Sequence, residues 1–124
     1  MIAVLTGDIV NSREVNAEFW LNELKLELNN YGSESKDWEI YRGDSFQLKI
    51  DPDRALEAAF VIKARIKQFK ELDVRIAIGL GEVDYEAKRI TESNGSAFRY
   101  SGECFESMKK TNLEIRSPWS DFDD

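Results

Sequence analysis

Two short stretches carry a carboxylate in a setting where it could do chemistry: "LTGDIVNSR" near the start, with Asp8, and "YRGDSFQLKI" over residues 41–50, with Asp44. Asp8 follows an aliphatic run and Asp44 sits at an abrupt turn between two runs of alternating polarity. If the fold brings them together, the two acids repel. A hard divalent cation such as Mg2+ or Mn2+ relieves that repulsion and in turn attracts phosphate oxygens. The surroundings suit such a ligand. Ile9, Val10, Asn11 and Ser12 lead into a predicted helix whose first amides could face a phosphate, and Arg13 and Arg42 could add charge-assisted contacts. The plainer alternative is that Asp8 caps the helix and Asp44 shapes the turn, both for backbone reasons, with each arginine in a surface ion pair. A third stretch, "ITESNGSAF", offers Asn94, Gly95 and Ser96 either as a loop presenting N–H groups to a phosphate or base, or as a simple surface connection.

Composition narrows the chemistry further. The chain has no histidine, which removes imidazole bases, Ser-His-Asp triads and His-based zinc sites. Its one cysteine, Cys104, cannot close an intrachain disulfide and fits a small core position in a reducing compartment. Carboxylate, lysine, arginine and hydroxyl groups remain. The formal net charge of -7 argues against a nucleic-acid backbone as the ligand of this segment. "KARIKQFK", residues 63–70, concentrates positive charge, but on one helix, where a solvated face is the simpler reading. There is no long apolar run and no basic leader before the first acid, so the expectation is a cytoplasmic protein without a membrane partner.

The elements that must position these residues follow from periodicity. With 124 residues, one domain is expected. "IAVLT" reads as a strand ending at Gly7 and Asp8. Val15, Phe19, Leu21, Leu24 and Leu28 predict a helix from about Arg13 to Asn30, with Asn11 or Ser12 as N-cap and Gly32 as a left-handed stop. Trp38 and Ile40, then Phe46, Leu48 and Ile50, predict a hairpin around Gly43 and Asp44. Asp51 and Pro52 open a second helix with Leu56, Ala59, Ile62, Ile66 and Phe69 inward. "DVRIAIGLGEV" predicts a strand with Val74, Ile76, Ile78 and Leu80 inward. A last helix from Ser101 to Lys110 and a short strand at "LEI" complete the list. The order suggests an α+β, ferredoxin-like antiparallel sheet with helices packed on one face. The other face, with Glu39, Tyr41, Gln47, Lys49, Arg75, Ala77 and Gly79, would be solvated, covered by a second copy of the chain, or used to hold a ligand. With Tyr41 as its only aromatic, it does not suit RNA.

"GDIVNSR", "RGDSF" and "RIAIGLGEV", in that order, resemble the class III nucleotidyl cyclase catalytic domain and, more distantly, GGDEF domains, all of palm-like fold. Together with "WEIYRGDSFQL", "ITESNGSAF" and "SGECFESMKK", the stretch is similar to the SatD-like family of bacterial proteins, described as possible transcriptional regulators. The resemblance implies that residues 1–116 form a cyclase-like domain in which Asp8, the Ile9 carbonyl and Asp44 hold magnesium on a nucleoside triphosphate. It also implies a site completed in a head-to-tail homodimer. Matching from Gly102 puts Glu106 and Lys110 where cyclases carry asparagine and arginine. Lys110, with Arg42, is the candidate for stabilising charge in the transition state, although lysine lacks arginine's bidentate geometry. Glu106 would repel a triphosphate, and Ile40 stands where adenylyl cyclases place a base-reading lysine, so ordinary cyclic AMP synthesis is not expected. The alternative implied is a non-enzymatic dimerisation or sensor module regulating a helix-turn-helix segment, the element through which family members would reach DNA. Residues 117–124 read as a tail or truncated linker before it.

Overall fold

The computed structural model describes residues 1–108 and 113–118. Five strands form one mixed sheet in the order β2-β3-β1-β4-β5: β1 Ile2–Val10, β2 Trp38–Tyr41, β3 Ser45–Ile50, β4 Asp73–Gly81 and β5 Leu113–Arg116. β1, the most aliphatic segment, lies at the centre, antiparallel to β3 and β4; β4 and β5 are parallel. It runs past the expected end. Gly7 and Asp8 are inside the strand, opposite Phe46 and Ser45 on one side and Ile76 and Arg75 on the other. Glycine at position 7 has a steric reason, since a Cβ there would stand 2.5 Å from the Phe46 ring.

Helices α1 (Ala17–Leu28) and α2 (Pro52–Lys67) cover one face. Helix α1 begins later than its periodicity suggested. Asn11 takes a left-handed conformation, Ser12–Glu14 make a single 3-10 turn, and Asn16 is the N-cap, its side chain accepting from the Glu18 amide. Trp20, Leu24 and Leu28 then point inward while Phe19 is 60% exposed, so tryptophan replaces phenylalanine on the buried stripe. Gly32 does not take a left-handed conformation; Asn29 caps the helix in the ordinary helical region. On α2, Ala55, Ala58, Ala59, Ile62 and Ile66 are buried and Leu56 is exposed. Asp51 is its N-cap, though its side chain makes no capping bond. These helices and the inward residues of the strands, Val74, Ile76, Ile78 and Leu80 among them, form the main core.

The expectation of helices on one face holds for α1 and α2 only. Helix α3, Ser96–Ser107, starts five residues before the predicted position and lies on the opposite face. A Cβ on Gly79 would come within 2.3 Å of the Ala97 carbonyl and the Ser101 amide, so the small residues of β4 admit the helix backbone itself. Val4, Ile90, Ala97 and Phe98 make a second core there, and Ala77, Cys104 and Met108 a third. Residues 82–95 cross the rest of this face as a strap, including a 3-10 turn at Ile90–Glu92. The strap explains why the face is polar. Buried Glu39 accepts from Arg89 at 2.8 Å and from the Thr91 amide and hydroxyl at 3.2 and 2.6 Å, and Lys49 pairs with Glu86 at 2.7 Å. Under α3, the Thr6 and Ser101 hydroxyls meet at 2.6 Å.

Candidate functional site

The hairpin brings Asp44 to the region of Asp8. Asp8 is the register partner of Ser45, and the Ile9 amide donates to the Asp44 carbonyl at 2.9 Å. Both acids therefore stand at the same end of neighbouring strands. The turn between β2 and β3 is tight because Arg42 and Gly43 both have positive φ, 55° and 85°. Glycine accepts this at no steric cost, whereas arginine is strained by about 1–2 kcal/mol.

Neither carboxylate follows the plain backbone reading. Asp8 caps nothing; both of its oxygens accept from the Arg75 guanidinium, at 3.1 Å from Nε and 2.8 Å from a terminal nitrogen. The fork is bidentate and half-buried, with side-chain exposures of 32% for Arg75 and 25% for Asp8. This hydrogen bonding raises the Arg75 pKa, against the opposing effect of burial. Arg75 also stacks on Phe105 of α3, 4.8 Å from the ring centroid. Asp44 accepts from the Ser12 hydroxyl at 2.8 Å, and Ser12 in turn receives the Trp20 indole N–H on its carbonyl at 3.2 Å. The chain after β1 is thus pinned to the turn on one side and to α1 on the other.

Tyr41, Ser45, Asp8 and Arg75 are successive register partners across four strands. Burial pushes the Tyr41 hydroxyl above its usual pKa; the charge of Arg42 opposes this and that of Asp8 adds to it. Beside the row opens a cleft of about 450 Å³ lined by Ser12, Arg13, Asn16, Ala17, Arg42 and Asp44, among others. Two cations and the first residues of α1 therefore face one hollow next to an acid, an arrangement able to take an anion. A contribution from the Ile9 N–H is excluded, because the Asp44 carbonyl already holds it.

The other predicted residues fall elsewhere. Asn94, Gly95 and Ser96 lie against β4 at its far end: the Ser96 hydroxyl accepts from the Glu82 amide, and a Cβ on Gly95 would stand 2.2 Å from the Glu82 carbonyl. Since Gly81 pairs with Ile2, six positions from Asp8, the distance along the strand is about 20 Å. Within one chain that loop and the two aspartates do not share a ligand. Its small polar residues serve the start of α3. Lys110 lies outside the described residues. Part of the basic run of α2 is tied up internally: Lys63 bonds Asp73 and the Val74 carbonyl, and Arg65 pairs with Glu23 and Glu27. Sequence reasoning missed Arg75, which it placed only on the outward side of a strand. The available signal was that Asp8 and Arg75 share a face; pairing them requires the register of two strands 67 residues apart.

Hard carboxylate oxygens suit Mg2+ or Mn2+. Among the described residues no group of three acidic, histidine or cysteine side chains could hold a metal. In nucleotide sites magnesium is held by one or two carboxylates, with phosphate oxygens and waters completing the octahedron; here Arg75 holds both Asp8 oxygens and Ser12 holds Asp44. No helix among the described residues is long and apolar enough to cross a membrane. A scan against models of known protein families finds no match for this chain, and a search of curated proteins finds none either.

Proposed function

We propose that the chain is a metal-dependent nucleotide-binding domain of the class III cyclase and SatD-like kind, its sheet an elaborated ferredoxin-like or palm arrangement, working in the cytoplasm as a homodimer. The nucleotide's phosphates lie in the cleft between the β2–β3 turn and the start of α1, beside Ser12, Arg13 and Arg42. Asp8 and Asp44, with the Ile9 carbonyl, hold Mg2+ or Mn2+, which when bound supplies charge neutralisation at the phosphates. The single observation that supports this best is the register that sets Asp8 opposite Ser45, so that two acids and two arginines from distant parts of the chain share one end of the sheet.

A second reading, a sensor or dimerisation module that binds a nucleotide without turning it over, draws on three residues. Glu106 is exposed on α3 where a transition-state asparagine is expected, Ile40 faces the core side of β2, and Arg75 already neutralises Asp8. Calorimetric titration with Mg2+ and a panel of nucleoside triphosphates, run on the wild type and Asp44→Ala, tests both readings. Metal-dependent binding that is lost in Asp44→Ala supports the nucleotide site, and product analysis of the bound nucleotide then separates turnover from sensing. Absence of binding in the wild type sinks both.

A further inference from the structure

Two acids at one end of the sheet raise the question of what neutralises them, and for Asp8 the answer is on the same face of the sheet. Arg75 reaches across from β4 and occupies both Asp8 oxygens. A cation that takes Asp8 as a ligand competes with this guanidinium, because an oxygen bonded to an N–H has less electron density to give a metal and the two positive centres repel across the shared carboxylate. The displacement is opposed by the bidentate fork and by the stacking on Phe105, and it is made possible by the partial exposure of the pair.

We propose that Arg75 is an internal counter-ion that competes with the divalent cation for Asp8 and so sets the metal concentration at which the site fills. The inference rests on the reading of Asp8 and Asp44 as metal ligands. Arg75 is a positioning residue. It holds Asp8 in place in the metal-free chain, tunes the affinity of the site, and couples metal entry to α3 through the Phe105 ring. An arginine of this kind lets Asp8 stand at that end of the sheet without a permanently bound ion.

The test is Mn2+ binding, followed by the paramagnetic signal of the free ion, on the full chain and its variants, with Mg2+ as competitor. Arg75→Met frees both Asp8 oxygens and is expected to tighten Mn2+ binding about tenfold. Arg75→Lys, which keeps the charge but not the fork, is the milder change should the methionine variant fold poorly, and an intermediate gain of about threefold is expected. Arg42→Met removes the same charge from the same end of the sheet without touching Asp8, and a gain well below that of Arg75→Met is expected. Equal gains in the Arg42 and Arg75 variants would mean a general charge effect and overturn the competition. So would wild-type binding that Asp44→Asn abolishes but no Arg75 variant tightens, a result that leaves the metal site itself standing. If neither the wild type nor any Arg75 variant binds Mn2+, the metal reading fails and this inference with it.

Discussion

Arg42 shows how a side chain can be held against its own backbone preference. Its φ of 55° lies in the left-handed region, where a Cβ costs about 1–2 kcal/mol, while glycine there loses about 0.5–1 kcal/mol of extra chain entropy. Arg42→Gly is therefore expected to stabilise the fold by roughly 0.5–1 kcal/mol, measured by urea unfolding, and to weaken tripolyphosphate binding at the cleft. A variant both less stable and equally avid would show that the strain has no bearing on the anion site. Glu39 is a different case. Burial alone would raise its pKa, but the hydrogen bonds from Thr91 and Arg89 outweigh burial and hold it below the usual glutamate value. A depressed folded pKa contributes stability above the unfolded pKa of about 4.3 that is lost as pH falls through the lower folded value. The Thr91 amide, which donates to Glu39, should thus lose hydrogen-exchange protection in that acid range, after correction for intrinsic rates. Glu39→Gln should remove the pH dependence. A Thr91 protection factor that is flat with pH in the wild type would break the link between this carboxylate and the strap.

At the scale of elements, what could be read in the sequence was whatever depends on local period. The alternation of Phe46, Leu48 and Ile50 and of Val74, Ile76, Ile78 and Leu80 located β3 and β4 with the correct faces inward, and Asp51-Pro52 marked the start of α2. Misreadings arose where tertiary partners decide. Val15 continues an apolar period that places the start of α1 too early, whereas the left-handed Asn11 and the Ser12–Asp44 bond keep residues 11–15 out of the helix. Asp8 looked like the end of β1 because glycine and aspartate usually break strands; here they are sheltered by the Phe46 ring and the Arg75 fork. The polar face looked open because nothing in Gly79 or Gly81 names the helix that lies on it. Gly79→Ala tests that contact. Its methyl group would meet backbone atoms of α3, which cannot rotate aside, so a loss of about 2–3 kcal/mol is expected in urea unfolding. Gly102→Ala, on the same helix with nothing within 4 Å of the new methyl, should instead be neutral or slightly stabilising. Similar effects of the two would contradict the close seating of α3 on β4.

For the whole molecule, the opposed placement of the helices has a topological consequence. Strands β3 and β4 are parallel, as are β4 and β5, and both steps move in the same direction across the sheet. Helices α2 and α3 make these two crossovers on opposite faces, so the connections have opposite hands, and one of them departs from the right-handed rule that nearly all parallel crossovers obey. The crossover through α1, between parallel β1 and β2, has the same hand as that through α2, so the exception is α3, whose buried apolar residues fall in two small clusters, while Leu113 and Ile115 of β5 pack against the main core. All four residues of β5 are only partly buried, whereas β1 is buried on both faces over Ala3–Gly7 and bonded to strands on both sides. Cooperative units with few buried contacts open first. Native-state hydrogen exchange in rising urea should therefore find the amides of β1 and of the β4 residues facing it opening only with global unfolding, with the full denaturant slope. The amides of Leu113–Arg116 should exchange through a smaller opening with a shallower slope and a lower free energy. Phe98→Ala, which empties part of the second core, should lower the free energy of global unfolding alone if α3 stays folded in that partial opening, and of both the partial opening and global unfolding if α3 opens with β5. Identical slopes for β1 and β5 in the wild type would mean that the uncommon crossover is folded as tightly into the sheet as its central strand.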